Sequence, residues 1–358
     1  MSLFALVAAT VALSATLTWM AIRYALRRRL LDLPGRRRSH ATPTPRGGGI
    51  AIVIAMLAGI SVLLVTRDKT ALGFSLLPPV IGIALVGWLD DHGGLSTLKR
   101  FAMHCVAAGW VFGAPLVFFV FAGDGAAGDV GLAVFTGLAV TVAIVWSINL
   151  HNFMDGINGL LTLQAVFVFC ALAGLLAWKG ADGSAALLVC AAACAGFLPF
   201  NFPHARVFMG DVGSGVLGFV IAVAVLWQAG MPGIAAASGF VLCSAFVADA
   251  TCTLLSRMLG GRRWYSAHRE HLYQWLIRCG YSHALVVALY MGWNLLIVLP
   301  VVYWMNRPSE LAHPAGAALS STGIGAAAAV YSLAVMLWWL GKRRCLNAVA
   351  MRRLHARA

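Results

Sequence analysis

The chain has 358 residues, 61% of them hydrophobic and only 11% charged, with a formal net charge of +14 and a mean hydropathy of +0.86. Soluble domains carry roughly a quarter of their residues as charges, so these values exclude a water-soluble fold and turn the positive charge from a sign of nucleic acid into a sign of membrane topology. The eight cysteines include six inside apolar runs (Cys105, Cys170, Cys190, Cys194, Cys243 and Cys252), a pattern of small buried hydrophobes with neither a disulfide framework nor a zinc spacing.

Crossing a bilayer takes about twenty apolar residues. The sequence offers eleven such runs, at 3–24, 48–66, 71–89, 101–121, 130–150, 160–178, 184–200, 212–229, 233–256, 284–304 and 316–341. The first lacks a basic segment before it and is followed by Arg27-Arg28-Arg29 rather than a cleavage site, so it reads as a retained span and not as a signal peptide. An odd number of spans puts the termini on opposite sides. With the N-terminus outside, 22 Lys and Arg fall on inner connections and 4 (Arg67, Lys69, Lys179, Arg307) on outer ones. That asymmetry is the one that orients membrane proteins. The expected fold class is an all-α polytopic membrane protein of about eleven transmembrane helices, N-terminus periplasmic and C-terminus cytoplasmic. Residues 1–341 form the integral membrane domain, and 342–358 form a basic amphipathic tail lying on anionic headgroups.

The inner connections carry nearly all the unusual residues. The first holds Arg38-Ser39-His40 and Pro43-Thr44-Pro45-Arg46-Gly47-Gly48-Gly49, in which prolines fix an extended path, glycines permit a close approach, and guanidinium groups suit phosphate oxygens. The second begins at Asp90-Asp91, two of only 12 acidic residues in the chain. Ionisable groups beside a membrane segment are expensive and read as functional by default, although two carboxylates can also simply cap a helix in water. The third, Asn149 to Leu160, gathers His151, Asn149, Asn152, Asp155 and Asn158 between apolar helices, hydrogen-bonding groups that suit a sugar, a base or, through the carboxylate, a metal.

The next polar stretch runs from Pro199 through Asn201, Phe208 and Asp211 to Gly215. Asp211 is either an N-cap or a functional acid, and small residues after it allow a diphosphate near a helix N-terminus. Phe208 is a candidate stacking surface, or core. Asp249 is expected to pair with Arg257 inside the bundle. In the final stretch, Gly260 to Gln274, His268 and His271 share a helical face, which fits zinc or phosphate, and no third ligand at a convincing spacing supports structural zinc.

Taken together in this order, Arg38-Ser39-His40 with Pro43 to Gly48, Asp90-Asp91, Asn149 to Gly159, Phe208-Met209-Gly210-Asp211-Val212-Gly213-Ser214 and His268 to His271 resemble the polyprenyl-phosphate N-acetylhexosamine-1-phosphate transferases, the superfamily that includes phospho-N-acetylmuramoyl-pentapeptide translocase. The resemblance implies ten or eleven helices around a cytoplasm-facing cleft in the bacterial inner membrane. It implies transfer of a sugar 1-phosphate from a UDP-N-acetylhexosamine to undecaprenyl phosphate, with Mg²⁺ as cofactor and Mn²⁺ as a substitute. By motif, Asp211 is the principal metal ligand and Asp90 and Asp91 act on metal and lipid phosphate. Asn152, Asp155, Asn158, Asn201 and Phe208 take the nucleotide and sugar, and His40, Arg46, His268, Arg269 and His271 take phosphates. A homodimer is an allowed assembly, and no nucleic acid is expected.

Two positions depart from the family pattern. Asn158 stands where many members have a second Asp, and His271-Leu272-Tyr273-Gln274 stands where the loop usually reads His-x-His-His. Both departures resemble the branch that starts O-antigen synthesis with 6-deoxy-N-acetylhexosamines such as N-acetylfucosamine or N-acetylquinovosamine. The alternative class is a polytopic transporter of a phosphorylated or sugar solute, which would place its polar residues near the bilayer midplane rather than at one face.

Overall fold

A computed structural model describes residues 2–33, 42–67, 70–121, 127–263, 268–307 and 321–355. The helices are α1 (Leu3–Arg28), α2 (Ile50–Arg67), α3 (Thr70–Gly93), α4 (Thr97–Phe121), α5 (Ala127–Met154), α6 (Leu160–Trp178), α7 (Ser184–Asn201) and α8 (Asp211–Ala229). They continue with α9 (Ser238–Leu242), α10 (Ser244–Leu259), α11 (Leu272–Arg278), α12 (His283–Trp293), a π-helical turn at Asn294–Val298, α13 (Leu299–Asn306) and α14 (Ser321–His355). A two-residue antiparallel pairing joins β1 (Leu31–Asp32) to β2 (Thr44–Pro45). Among the described residues, seven helices are long and apolar enough to cross a membrane. Large apolar side chains such as Phe4, Phe135, Val142 and Leu296 face outward, as they do where the solvent is lipid.

α8 is the pillar of the bundle, packed by α5 and α3 along its length and by α2 and α6 as well. Small residues make the close crossings, the usual solution where lipid supplies no hydrophobic drive between helices. A Cβ on Gly218 would lie 2.8 Å from the Ile148 Cα of α5, and one on Gly213 would lie 2.8 Å from the Cα of Gly49, just before α2. α1 meets α7 in the same manner through a buried stripe of Thr10, Ser14 and Thr18, with Ser14 Oγ donating to the Ala193 carbonyl at 2.6 Å.

The run at 233–256 is expected to be one span and is instead broken. Residues 230–237 are not helical, and the helix is interrupted again between Leu242 and Ser244. Gly230, Pro232 and Gly233 (φ +73°) start the break, and buried amides satisfy the backbone groups it frees, as a bilayer requires. Asn306 Oδ1 accepts from Ala235 N at 2.9 Å, Gln228 Oε1 accepts from Gly239 N at 2.8 Å, and Gln164 Nε2 donates to the Leu242 carbonyl at 3.2 Å. Gln164 is itself held by Asn294 at 2.7 Å. These four buried amides therefore serve the broken helix.

Aromatic and basic residues pair at the helix ends. Trp178 stacks on Tyr303 with centroids 5.2 Å apart, and Lys179 and Arg307 lie over Trp178 and Trp304. Toward the C-terminus of α1, Arg23 lies over Trp19, and within α14 Lys342 and Arg343 lie over Trp338 and Trp339. This is the interfacial pattern of membrane helices. α14 runs unbroken to His355, so the basic tail continues the last helix.

The crossing of α5 and α8 yields a stability prediction. Gly218→Val should destabilise the protein by about 1–3 kcal/mol through overpacking against Ile148. Gly174→Ala, where an added Cβ meets nothing within 4 Å, should leave the melting temperature in detergent unchanged or slightly raised.

Candidate active site

α3 ends and α8 begins at the same point in space. Asp91 is 5% exposed, and its two oxygens accept from the backbone N–H groups of Asp211 and Val212, each at 3.3 Å. The carboxylate thus sits on the positive end of α8. Glycine permits this: Gly210 has φ +76°, and a Cβ there would fall 2.5 Å from Asp91 Oδ2. The Pro-Arg-Gly-Gly turn is stitched alongside, with Phe208 N donating to the Pro45 carbonyl at 2.8 Å, Gly48 N to Phe208 at 2.9 Å and Gly49 N to Met209 at 2.8 Å. Arg46 donates to the backbone carbonyl of Asp91.

Asp90, next along α3, points elsewhere. One oxygen accepts from Leu95 N, and the other lies 2.9 Å from Arg100 Nη1. That same nitrogen lies 2.9 Å from Asp211 Oδ2, while Asp211 Oδ1 accepts from Asn152 Nδ2 at 2.8 Å. Asn152 also donates to Ser214 Oγ at 3.0 Å. The three aspartates are therefore one connected cluster. Among the described residues, no three His, Cys, Asp or Glu side chains already converge as a ligand set; Asp90 and Asp211 share Arg100 instead.

A cavity of about 350 Å³ opens on this cluster, lined by Asp32, Arg46, Asp91, Asn152, Asp155, Gly156, Ile157, Asn201, Phe208, Gly210, Asp211, Arg269, Gln274 and Ile277. Burial, then the negative neighbours Asp211 and Asp91, hold the Asp155 carboxyl well above the usual carboxylate range. Burial also pushes Asp91, which lies past the end of the apolar run, up to about 6, with the two backbone donors and Arg46 opposing the rise and Asp90 adding to it.

Of the residues singled out in the sequence, Arg46, Asp91, Asn152, Asp155, Asn201, Phe208, Asp211 and Arg269 line the cavity, and Asp90 joins them through Arg100. Asn201 is spent on structure: its Oδ1 accepts from Gly159 N and Thr162 Oγ1, and its Nδ2 donates to the Val207 carbonyl. Asn158 donates to the Pro203 carbonyl and is not in the cavity wall. His40 lies outside the described residues.

His268 and His271 do not line the cavity either. His271 is 3% exposed, stacked between Phe153 and Tyr273, with Nδ1 3.9 Å from Asp249. Burial lowers both imidazoles, assisted at His268 by His271 and then Arg257, which brings His268 to about 4. They are neutral near pH 7, poor partners for a phosphate.

The cause of this inward turn is Asp249. It does not pair with Arg257, which reaches Glu270 at 2.6 Å instead. Asp249 accepts from the N–H of Leu272 at 2.7 Å, Tyr290 OH at 2.7 Å and Trp338 Nε1 at 3.0 Å. It thus anchors the N-terminus of α11. Tyr273, fully buried, then donates to the Phe153 carbonyl at 2.9 Å, which ties α11 to the Asn152–Asp155 turn and leaves Arg269 and Gln274 facing the cavity. Asp32, Arg100, Gln274 and Ile277 escape sequence reasoning. Arg100 reads there as a topological charge, Asp32 and Ile277 belong to no motif, and Gln274 reads only as a departure from the histidine loop.

Comparison with known proteins places this geometry in context. Residues 73–229 match the family described as Glycosyl transferase family 4. The chain is 32% identical to the decaprenyl-phosphate N-acetylglucosaminephosphotransferase of Mycobacterium leprae, over 73% of this chain and 73% of that one. It is 25% identical to the probable undecaprenyl-phosphate N-acetylglucosaminyl 1-phosphate transferase of Bacillus subtilis, over 74% of each. It is 33% identical to the phospho-N-acetylmuramoyl-pentapeptide-transferase of Bacillus pumilus, over 51% of this chain and 61% of the relative.

The Asp249 anchor is testable by stability. Asp249→Leu strands a backbone N–H, a hydroxyl and an indole, at about 1–3 kcal/mol each, and should lower the melting temperature sharply and open residues 268–271 to protease. Tyr273→Phe loses one hydrogen bond and should cost only about 1 kcal/mol.

Proposed function

The chain belongs to glycosyl transferase family 4, the superfamily of polyprenyl-phosphate N-acetylhexosamine-1-phosphate transferases, and from that membership we propose that it transfers a HexNAc-1-phosphate from a UDP-sugar to undecaprenyl phosphate. The products are undecaprenyl-diphosphate-sugar and UMP, and the reaction initiates O-antigen or a related envelope polysaccharide at the cytoplasmic face of the bacterial inner membrane. The observation that carries this reading is the single cavity in which Arg46, Asp91, Asn152, Asp155, Asp211 and Arg269 meet from segments far apart in sequence. The cavity combines carboxylates for a metal, guanidinium groups for phosphates and an aromatic edge at Phe208 for a base.

The residues present fit Mg²⁺, with Mn²⁺ as a substitute. Oxygen donors dominate, and the carboxylates of Asp90 and Asp211 converge on one positive nitrogen, at hydrogen-bond length from each, which is a place for positive charge between oxygen donors. Asp211 and Asp90 would hold the ion, with Asp91 fixing the start of α8 beside them. Bound there, the ion supplies charge neutralisation for a diphosphate.

The chain's own groups do the positioning that phosphoryl transfer needs. Arg46 and Arg269 face the cavity as phosphate partners, and Asn152 orients Asp211. An oxygen of the lipid phosphate attacks the β-phosphorus of the UDP-sugar, the bond from that phosphorus to the UMP oxygen breaks, and the sugar 1-phosphate passes to the lipid. The donor is a UDP-N-acetylhexosamine. Tyr273 and Gln274 at the end of the histidine loop support a 6-deoxy sugar such as N-acetylfucosamine or N-acetylquinovosamine, while the names of the mycobacterial and Bacillus subtilis relatives support N-acetylglucosamine.

Two outcomes are expected. Membranes holding the protein, supplied with undecaprenyl phosphate, Mg²⁺ and a panel of UDP-sugars, should release UMP and form labelled lipid with one UDP-HexNAc. EDTA should abolish that product and Mg²⁺ restore it, and Asp211→Asn should lower the rate by about 10²-fold or more. No product with any UDP-HexNAc, together with solute uptake by vesicles, would overturn the reading in favour of a transporter. A labelled phospho-enzyme trapped with UDP-sugar alone would replace direct attack by a two-step route.

A further inference from the structure

Arg100 is left without a task by the proposed reaction, yet it is the residue that closes the acidic cluster. One nitrogen, Nη1, lies 2.9 Å from Asp90 and 2.9 Å from Asp211. Arginine binds carboxylates best as a two-pronged fork, with two nitrogens on one carboxylate. Here one nitrogen serves two carboxylates from different helices, which is the behaviour of a point charge. The position is also costly for α4, because Arg100 sits in the first turn of that helix (Thr97–Phe121), where the helix dipole disfavours a cation. Its position therefore answers to the carboxylates and not to its own helix.

The charges explain why something positive must stand there. Asp90, Asp91 and Asp211 are neighbours, and Asp155 lies in the same cavity wall as two of them. Arg46 gives one nitrogen to the carbonyl of Asp91, the N–H groups at the head of α8 compensate Asp91, and Arg100 is the cation in hydrogen-bond contact with the carboxylates of both Asp90 and Asp211. The side chain of Arg100 is 31% exposed, against 14% for Asp90 and 30% for Asp211, so the guanidinium has a way out toward water and leaves by the same open side as the Asp211 carboxylate.

We propose that Arg100 is an exchangeable counter-ion, its guanidinium holding the place between Asp90 and Asp211 that a divalent cation takes and withdrawing when that cation enters. The inference rests on the divalent-cation reading of the site. It makes Arg100 a competitor of the metal as well as a stabiliser of the metal-free protein. Neutralising the residue therefore has opposite effects on stability and on metal affinity.

The test is an EPR titration of free Mn²⁺ with the full-length protein in nanodiscs. Arg100→Gln should bind Mn²⁺ about tenfold more tightly than the unaltered chain, the size expected for one charge-assisted pair removed from competition. Arg100→Lys, which keeps the charge, should bind close to the unaltered value. Affinity unchanged or weakened in Arg100→Gln overturns the proposal. Melting curves guard against misfolding: Arg100→Gln without metal should melt lower than the unaltered chain and recover on addition of Mn²⁺, and failure to recover also overturns it. Asp211→Asn separates the two readings. If the unaltered chain and Asp211→Asn take up Mn²⁺ alike, or neither binds, the metal reading itself fails and the counter-ion role falls with it. Asp211-dependent binding that Arg100→Gln leaves unchanged defeats the counter-ion role alone.

Discussion

The contact on which the rest of the structure depends is the carboxylate of Asp91 against the first N–H groups of α8. It fixes where the end of α3 meets the start of α8, and α8 is the helix against which α2, α3, α5 and α6 pack. The contact answers two needs at once, because a helix starting near the membrane boundary has unsatisfied donors and a buried carboxylate needs them. Its cost is local. Gly210 must take a left-handed conformation, and Gly87 must let α3 approach until an added Cβ would fall 2.6 Å from the Val212 backbone.

Fixing α8 in this way delivers Asp211 to the cavity, and a second buried carboxylate performs the equivalent service for the opposite wall. Asp249 holds the head of α11, Tyr273 reaches from α11 to the Phe153 carbonyl, and the turn carrying Asn152 and Asp155 is clamped between the two anchors. The cleft is thus built by two acids that cap helices and by others that face its interior. Neighbouring acids in one sequence motif divide between these tasks: Asp91 caps while Asp90 meets Arg100, because successive residues on a helix point about 100° apart.

This division marks how far the sequence could be read. Long apolar runs reveal the helices, since crossing lipid leaves little freedom in length or composition. The family model and the relatives agree with the resemblance drawn from Arg46, Asp90-Asp91, Asn152, Asp155 and Asp211. The break in the ninth run was not legible, because the residues that make it tolerable, Gln228 and Asn306, lie outside the run itself and only the fold brings them to it. His271 was misleading for a related reason. Its spacing from His268 is right for a shared ligand, but Asp249, 22 positions earlier in the chain, turns it inward. Arg100 and Asp32 carry no local signal, as a single charge at a helix end reads as topology.

The same allocation of side chains bears on the choice between direct attack and a covalent enzyme intermediate. A carboxylate nucleophile needs a free lone pair aimed into the cavity. Asp91 is held in direction by a backbone donor on each oxygen, Asp90 is not in the cavity wall, and Asp211 is engaged by Asn152 and Arg100. Asp155, raised by burial and by its acidic neighbours, is a weak nucleophile at neutral pH. A lipid phosphate brings its own charged oxygen and needs from the protein only a place and a neutralised field. On the proposed direct attack the carboxylates are released from supplying a nucleophile, and the hydrogen bonds they make hold helices in register.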